Sequence, residues 1–119
     1  MTNATAEFTV QLHFANRDPI VRAIYDKLLI QCRTFGPVVE APRKTSIHLE
    51  NKSAFAGVAT RKAHLVLTIK ANAAIKHKRI HKSERVSAAR YHHEVKLASP
   101  TEVDAELVGW LRDAYALSA

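Results

Sequence analysis

The sequence predicts an α+β domain in which an N-terminal and a C-terminal helix pack on one face of an antiparallel sheet. Near both ends of the 119-residue chain, apolar residues recur every three or four positions. In the middle of the chain they alternate with polar residues, which is the period of a half-buried strand. Helices that flank a run of strands are typical of α+β proteins. We therefore expect a single domain over residues 1–119, with about four to five strands and a loose tail at residues 1–8.

The first third of the chain predicts one long helix. Asp18 can cap it, Pro19 suits its first turn, and Gly36-Pro37 ends it, so we place the helix at residues 19–34. Its apolar stripe consists of Val21, Ile24, Tyr25, Leu28, Cys32 and Phe35. The preceding segment is ambiguous: residues 7–14 alternate as a strand would, but Thr9 could equally cap a short helix.

The middle of the chain predicts strands at residues 46–50, 53–59, 64–70 and 91–97, and the first two are joined by a turn at Asn51-Lys52. Residues 71–78 resemble a connection. Residues 79–86 form a less regular candidate strand, because four polar positions separate Ile80 from Val86.

The chain closes with a predicted helix at residues 100–117. Ser99-Pro100-Thr101-Glu102 has the residues of a capping box, and apolar residues follow at helical spacing. The residues predicted to be buried are Trp110, Leu111, Leu107, Ile24, Leu28, Leu65, Leu67 and Val95.

Cysteine content and hydropathy bear on the cellular compartment in which the protein is expected. Cys32 is the only cysteine, so no intramolecular disulfide can form. No segment approaches the roughly 20 apolar residues that span a membrane, and the first residues lack the pattern of a secretory signal. We expect a cytoplasmic protein with no membrane partner.

The positive charge of the chain is concentrated in one segment. Residues 43–93 hold twelve of the eighteen Lys and Arg residues but only two acidic residues, Glu50 and Glu84. That segment therefore carries +10 and the remainder −3, for a net charge of +7. Such an asymmetric field attracts anionic partners, although charged runs are often only solvated surface.

Several residue series occur together along the chain. They are Asp18-Pro19-x-Val21-Arg22-Ala23-x-Tyr25-Asp26, Lys44-Thr45-Ser46-Ile47-His48-Leu49, Ala54-Phe55-Ala56-Gly57-Val58, Arg61-Lys62, Arg79-Ile80-His81-Lys82, Arg90-Tyr91-His92-His93 and Ser99-Pro100. Through them, from about His13 to Leu117, the chain resembles an uncharacterised bacterial family catalogued as domain of unknown function 5655. The resemblance implies no particular activity. It favours the short helix at residues 9–14, and the chain departs from the family pattern at Ala71–Ala74.

Catalytic and metal chemistry find little support in the sequence. His77 and His81 have the spacing of a zinc-binding helix, but position 78 is Lys where the metalloprotease pattern requires Glu. His92 and His93 should point to opposite faces of a strand. Ser46 and His48 lack a nucleophile elbow, and three glycines leave little for a phosphate loop. We expect no catalytic residue, no metal and no cofactor.

The remaining candidate is an anion-binding surface on the uncovered face of the sheet and along its rim. Its predicted residues are Lys44, Ser46, His48, Arg61, Lys62, His64, Arg79, His81, Lys82, Arg85, Arg90 and His92. His93 shares the inward parity of Val95, which predicts either a hydrogen-bonded core histidine or the edge of a pocket beside Tyr91.

These observations favour a small non-enzymatic binding domain for an anionic partner, with nucleic acid as the first hypothesis. Two alternatives remain open at this stage. One is a protein-interaction module for an acidic partner, and the other is an enzyme for a small anionic substrate with His48, His64 or His93 as acid or base. The sequence does not determine the oligomeric state.

Overall fold

The computed structural model describes residues 8–118, so the expected tail at residues 1–8 lies outside it except for Phe8. Three α-helices are present among these residues, and the strands form one six-stranded antiparallel sheet. The helices are α1 (Val10–His13), α2 (Pro19–Arg33) and α3 (Ala105–Leu117). The strands are β1 (Val39–Pro42), β2 (Ile47–Glu50), β3 (Ala54–Thr60), β4 (Leu65–Ala71), β5 (Ile80–Ser87) and β6 (Arg90–Leu97).

The two N-terminal helices begin at side chains that cap them. The Thr9 hydroxyl accepts a hydrogen bond from the Leu12 amide, so the ambiguous segment is a short helix. The Asp18 carboxylate accepts one from the Ile20 amide at 3.0 Å, and Pro19 occupies the first position of α2. Helix α2 therefore forms over nearly the predicted range.

The prediction of one continuous helix over residues 100–117 is wrong. The capping box at Ser99 starts only a 3-10 turn, Pro100–Glu102, which ends at Val103. Asp104 then caps α3 by accepting a hydrogen bond from the Leu107 amide at 3.1 Å. Two competing caps lie five residues apart, and the second one sets the start of the long helix.

The strands are ordered β1-β2-β3-β4-β6-β5, which gives six strands instead of the expected four to five. The additional one is β1, a short edge strand that ends in Pro42. Proline is tolerated at an edge because it lacks the amide that a central strand must donate. At the other edge, the candidate strand predicted at residues 79–86 is confirmed as β5. It pairs with β6 through two register shifts.

One face of the sheet and the helices share a single hydrophobic core. Leu67 in β4 is fully buried, and its pairs across the sheet are Val58 and Val95. Seven of the eight residues predicted to be buried are buried. The exception is Trp110, which packs against the core but stays half-buried with its ring beside that of His77.

The only cysteine of the chain is part of the packed interior. Cys32 lies inside α2, and burial raises the pKa of its thiol to about 12.

None of the helices within residues 8–118 has the length and apolar character needed to cross a membrane.

Candidate functional site

The face of the sheet opposite the helices carries alternate residues of the strands, and we call it the open face. Cross-strand pairs connect His48 to Gly57, Gly57 to Thr68, Thr68 to Glu94, and Glu94 to Lys82. By the two-residue period of strands, the open face consists of Ser46, His48, Glu50, Gly57, Ala59, His64, Val66, Thr68, Lys70, Lys82, Glu84, Arg90, His92, Glu94 and Lys96. These side chains are half-buried or exposed, whereas most of their neighbours along β2, β3, β4 and β6 are buried in the core.

A groove crosses the open face above β3, because that strand has only small residues there. The depression measures about 220 Å³, and its polar lining comes from Ser46, His48, Thr68, Lys70 and His92. A Cβ atom built on Gly57 would lie 3.9 Å from the His48 ring and 4.0 Å from the Thr68 Cβ. A larger residue at position 57 would therefore fill the floor between these two side chains.

Lys70 stands at one end of the groove. Its ammonium donates to the Ser118 hydroxyl at 2.8 Å and to the Ser53 hydroxyl at 3.2 Å. Burial, and after it the charge of Arg90, lowers the pKa of Lys70. Sequence analysis did not single out Lys70, although it shares parity with Val66 and Thr68 and could have been identified on that basis.

His64 and Lys96 lie toward the opposite end of the open face. They line a depression of about 350 Å³ together with His81 and Lys78. Partial burial lowers the pKa of His64 below its ordinary value of 6.5, and the charges of Lys96, Arg61 and His81 lower it further. This end of the face therefore carries several cations close together, although Glu102 also lines the depression.

The edge of the open face near β5 is partly neutralised. The Glu94 carboxylate lies 3.4 Å from the His81 ring nitrogen and 3.9 Å from the Lys82 ammonium. Glu84 pairs with His92 across β5 and β6. Part of the positive charge along β5 is therefore compensated by Glu94.

Arg79 is held by acidic residues. Its guanidinium contacts Asp104 at 2.9 Å and Glu106 at 3.3 Å, and only 17% of its side chain is exposed. The neighbouring His77 bonds the other oxygen of Glu106 at 3.0 Å. His77 and His81 thus reach different carboxylates, Glu106 and Glu94.

The other predicted basic residues divide between the two ends of the sheet. Lys44 lies in the β1–β2 turn, and Arg61 and Lys62 lie in the β3–β4 turn at the same end. Arg85 and Arg90 flank the β5–β6 turn at the opposite end. Because β4 has seven residues, the two ends are about 20 Å apart. The structure therefore does not bring these basic residues together at one place, and the Arg85 guanidinium lies 5.8 Å from the ring of its cross-strand partner Tyr91.

Tyr91 and His93 face the helix side of the sheet and not the open face. His93 is fully buried, and its Nδ1 lies 2.8 Å from the Ser83 hydroxyl. Its Nε2 lies 3.1 Å from the Ala73 carbonyl oxygen and 3.3 Å from the Ile75 amide nitrogen. The Tyr91 ring stacks on His93 at 5.9 Å.

Potential metal ligands are dispersed over the fold. Within residues 8–118, no three His, Cys, Asp or Glu side chains are grouped closely enough to hold a metal ion. Convergence of that kind is what a structural or catalytic zinc site requires.

Comparison with known families gives one result. The family described as Domain of unknown function (DUF5655) matches residues 10–118. The chain belongs to this family. No curated protein and no solved structure matches the chain. The basic open face is thus a feature of a DUF5655 domain.

Proposed function

We propose that this DUF5655 domain is a non-enzymatic module that binds nucleic acid through phosphate contacts on its open face. The observation that carries the proposal is the placement of cations near both ends of the open face, where Arg90 lies near Lys70 and where Lys96 and Arg61 lie near His64. An anion that binds to such a surface reduces the repulsion among its cations, and this favours binding. Phosphates are the anions that a nucleic acid presents along its length.

The placement of the aromatic residues supports contact with phosphates over contact with bases. Proteins that stack bases use exposed aromatic rings on a sheet or groove. Phe55 is buried with its ring 5.2 Å from that of Tyr115 in α3, and Tyr91 faces the helix side. Among the described residues, the open face has no aromatic residue other than histidine. We therefore expect weak sequence specificity.

Salt dependence of binding tests this proposal. We expect the domain to retard DNA or RNA at about 50 mM salt, with log K falling against log salt at a slope of about −0.9 for each phosphate neutralised on duplex DNA. The measurement is a fluorescence-anisotropy titration of a labelled duplex at several salt concentrations. An absence of binding at low salt would refute the proposal, and tight binding that is insensitive to salt would refute the phosphate mechanism.

The protonation of His64 gives a second test of the same surface. A bound polyanion would offset the charges of Lys96, Arg61 and His81, so the pKa of His64 should rise on binding. Binding should then take up protons and become tighter as the pH falls through the pKa of His64 in the free protein. An NMR titration of the His64 ring signals, with and without duplex DNA, measures this shift. An unchanged or lower pKa in the complex would place the ligand elsewhere.

A further inference from the structure

A second basic cluster lies at the end of the sheet near the β1–β2 and β3–β4 turns, and we call it the end pocket. It is a depression of about 340 Å³, lined by Leu12, His13, Arg17, Lys44, Thr45, Thr60 and Arg61. These residues come from three separate segments of the chain, residues 12–17, 44–45 and 60–61. Lys44 and Arg61 were predicted from the sequence, whereas His13 and Arg17 were not.

Two arginines of the end pocket converge on one oxygen atom. Arg17 Nη2 lies 3.5 Å from the Thr60 carbonyl oxygen, and Arg61 Nη1 lies 3.2 Å from the same atom. Arg17 Nε also donates to the Thr60 hydroxyl at 3.2 Å. Thr60 is only 5% exposed, which makes it a fixed support for both side chains. The guanidinium groups are therefore held close together.

No described carboxylate compensates this pair. Within residues 8–118, no acidic side chain lies within 4.0 Å of Arg17, Lys44 or Arg61. Other arginines do contact a carboxylate: Arg22, Arg33, Arg43 and Arg79. Like charges that share one acceptor repel each other, and an anion bound between them would remove that repulsion.

The end pocket retains donors for such an anion. A guanidinium has five N–H donors in a planar fork that fits phosphate oxygens in pairs. Arg17 uses two of its nitrogens on Thr60, and Arg61 uses one nitrogen there. The His13 Nε2 donates to the Arg43 carbonyl at 2.8 Å, and this contact fixes the ring beside Lys44.

We propose that the end pocket is a discrete site for one phosphate group, held by Arg17, Arg61 and Lys44. It shares no lining residue with the groove, so it goes beyond a general attraction to nucleic acid. The ligand chemistry is a tetrahedral phosphate dianion, whose two negative charges would offset most of the charge of the three cations. Such a group occurs as free phosphate or as the terminal phosphate of an oligonucleotide.

Calorimetric titration of the whole protein with inorganic phosphate, in a buffer of low chloride, tests the site. We expect saturable binding of one phosphate per chain, weakened about tenfold or more in Arg61→Gln and in Lys44→Gln. Arg61→Lys should also bind more weakly, because it keeps the charge but loses the fork. Arg112→Gln, on α3, serves as the control and should bind as the wild type does.

The source of the phosphate is distinguished by a second titration, with oligonucleotides that end in a 5′-phosphate, a 3′-phosphate or hydroxyl groups only. Tighter binding of one phosphorylated form, lost in Arg61→Gln, would assign the site to that nucleic-acid end. Phosphate binding without any such preference would assign it to free phosphate. Absence of saturable phosphate binding, or equal binding by Arg61→Gln and Arg112→Gln, would overturn the inference. A protein that retards duplex DNA but fails here would leave the groove proposal standing.

Discussion

Replacing Leu67 with Ala is expected to lower the free energy of unfolding by about 2–5 kcal/mol. Leu67 lies fully buried in the central strand β4, between Val58 and Val95 on the neighbouring strands. Truncation would leave a cavity beneath the helices that the rigid sheet cannot close. Urea unfolding followed by circular dichroism measures the loss as a lower midpoint at an unchanged slope.

Val66→Ala is the matched control, because Val66 is the preceding residue of the same strand and lies half-buried on the open face. It should lower the free energy of unfolding by about 1 kcal/mol at most. Equal losses for the two variants would contradict the assignment of one covered and one open face.

Replacing His93 with Ala is expected to lower the free energy of unfolding by about 2–4 kcal/mol. The substitution removes the partner of the Ser83 hydroxyl and leaves the Ala73 carbonyl and Ile75 amide without their contact to the ring. It also opens a cavity at a fully buried position. Lost hydrogen bonds and lost packing act together here. Thermal and urea unfolding measure the combined effect.

His92 provides the comparison, since it is adjacent in β6 and points into the groove of the open face. His92→Ala should change the free energy of unfolding by about 0.5 kcal/mol or less. If His92→Ala proved as destabilising as His93→Ala, then burial of one ring and exposure of the other could not be the cause.

Much of the fold was predictable because local signals agreed with the tertiary structure. Helix α2 has an Asp18 cap, Pro19 at its first position and an apolar stripe that becomes buried. The interruption before α3 was missed because the box at Ser99 is a complete local signal. Only the additional cap at Asp104 shows that the long helix starts later. Strand β1 was missed because four residues ending in Pro42 give no usable alternation.

Side-chain parity predicted much of the open face, since it depends only on the period of a strand. It placed His48 and His92 together, and the cross-strand pairs put both on that face. Two features depend on distant contacts and could not be obtained from local patterns. One is the capture of Arg79 by Asp104 and Glu106. The other is the meeting of Arg17 with Arg61 at Thr60.

Charge reversal at matched positions tests most directly whether a specific face binds nucleic acid. One variant carries Arg90→Glu and Lys96→Glu on the open face, and the other carries Lys27→Glu and Arg112→Glu on α2 and α3. Each lowers the formal net charge from +7 to +3, because each reversal changes it by two.

We expect the open-face variant to bind duplex DNA about tenfold or more weakly at low salt, with a salt slope that is shallower by about one per reversed residue. The helix variant should bind nearly as the wild type does. Circular dichroism should show that both variants remain folded. Equal weakening by the two variants would show that net charge alone drives binding, and it would contradict the assignment of the open face as the interface.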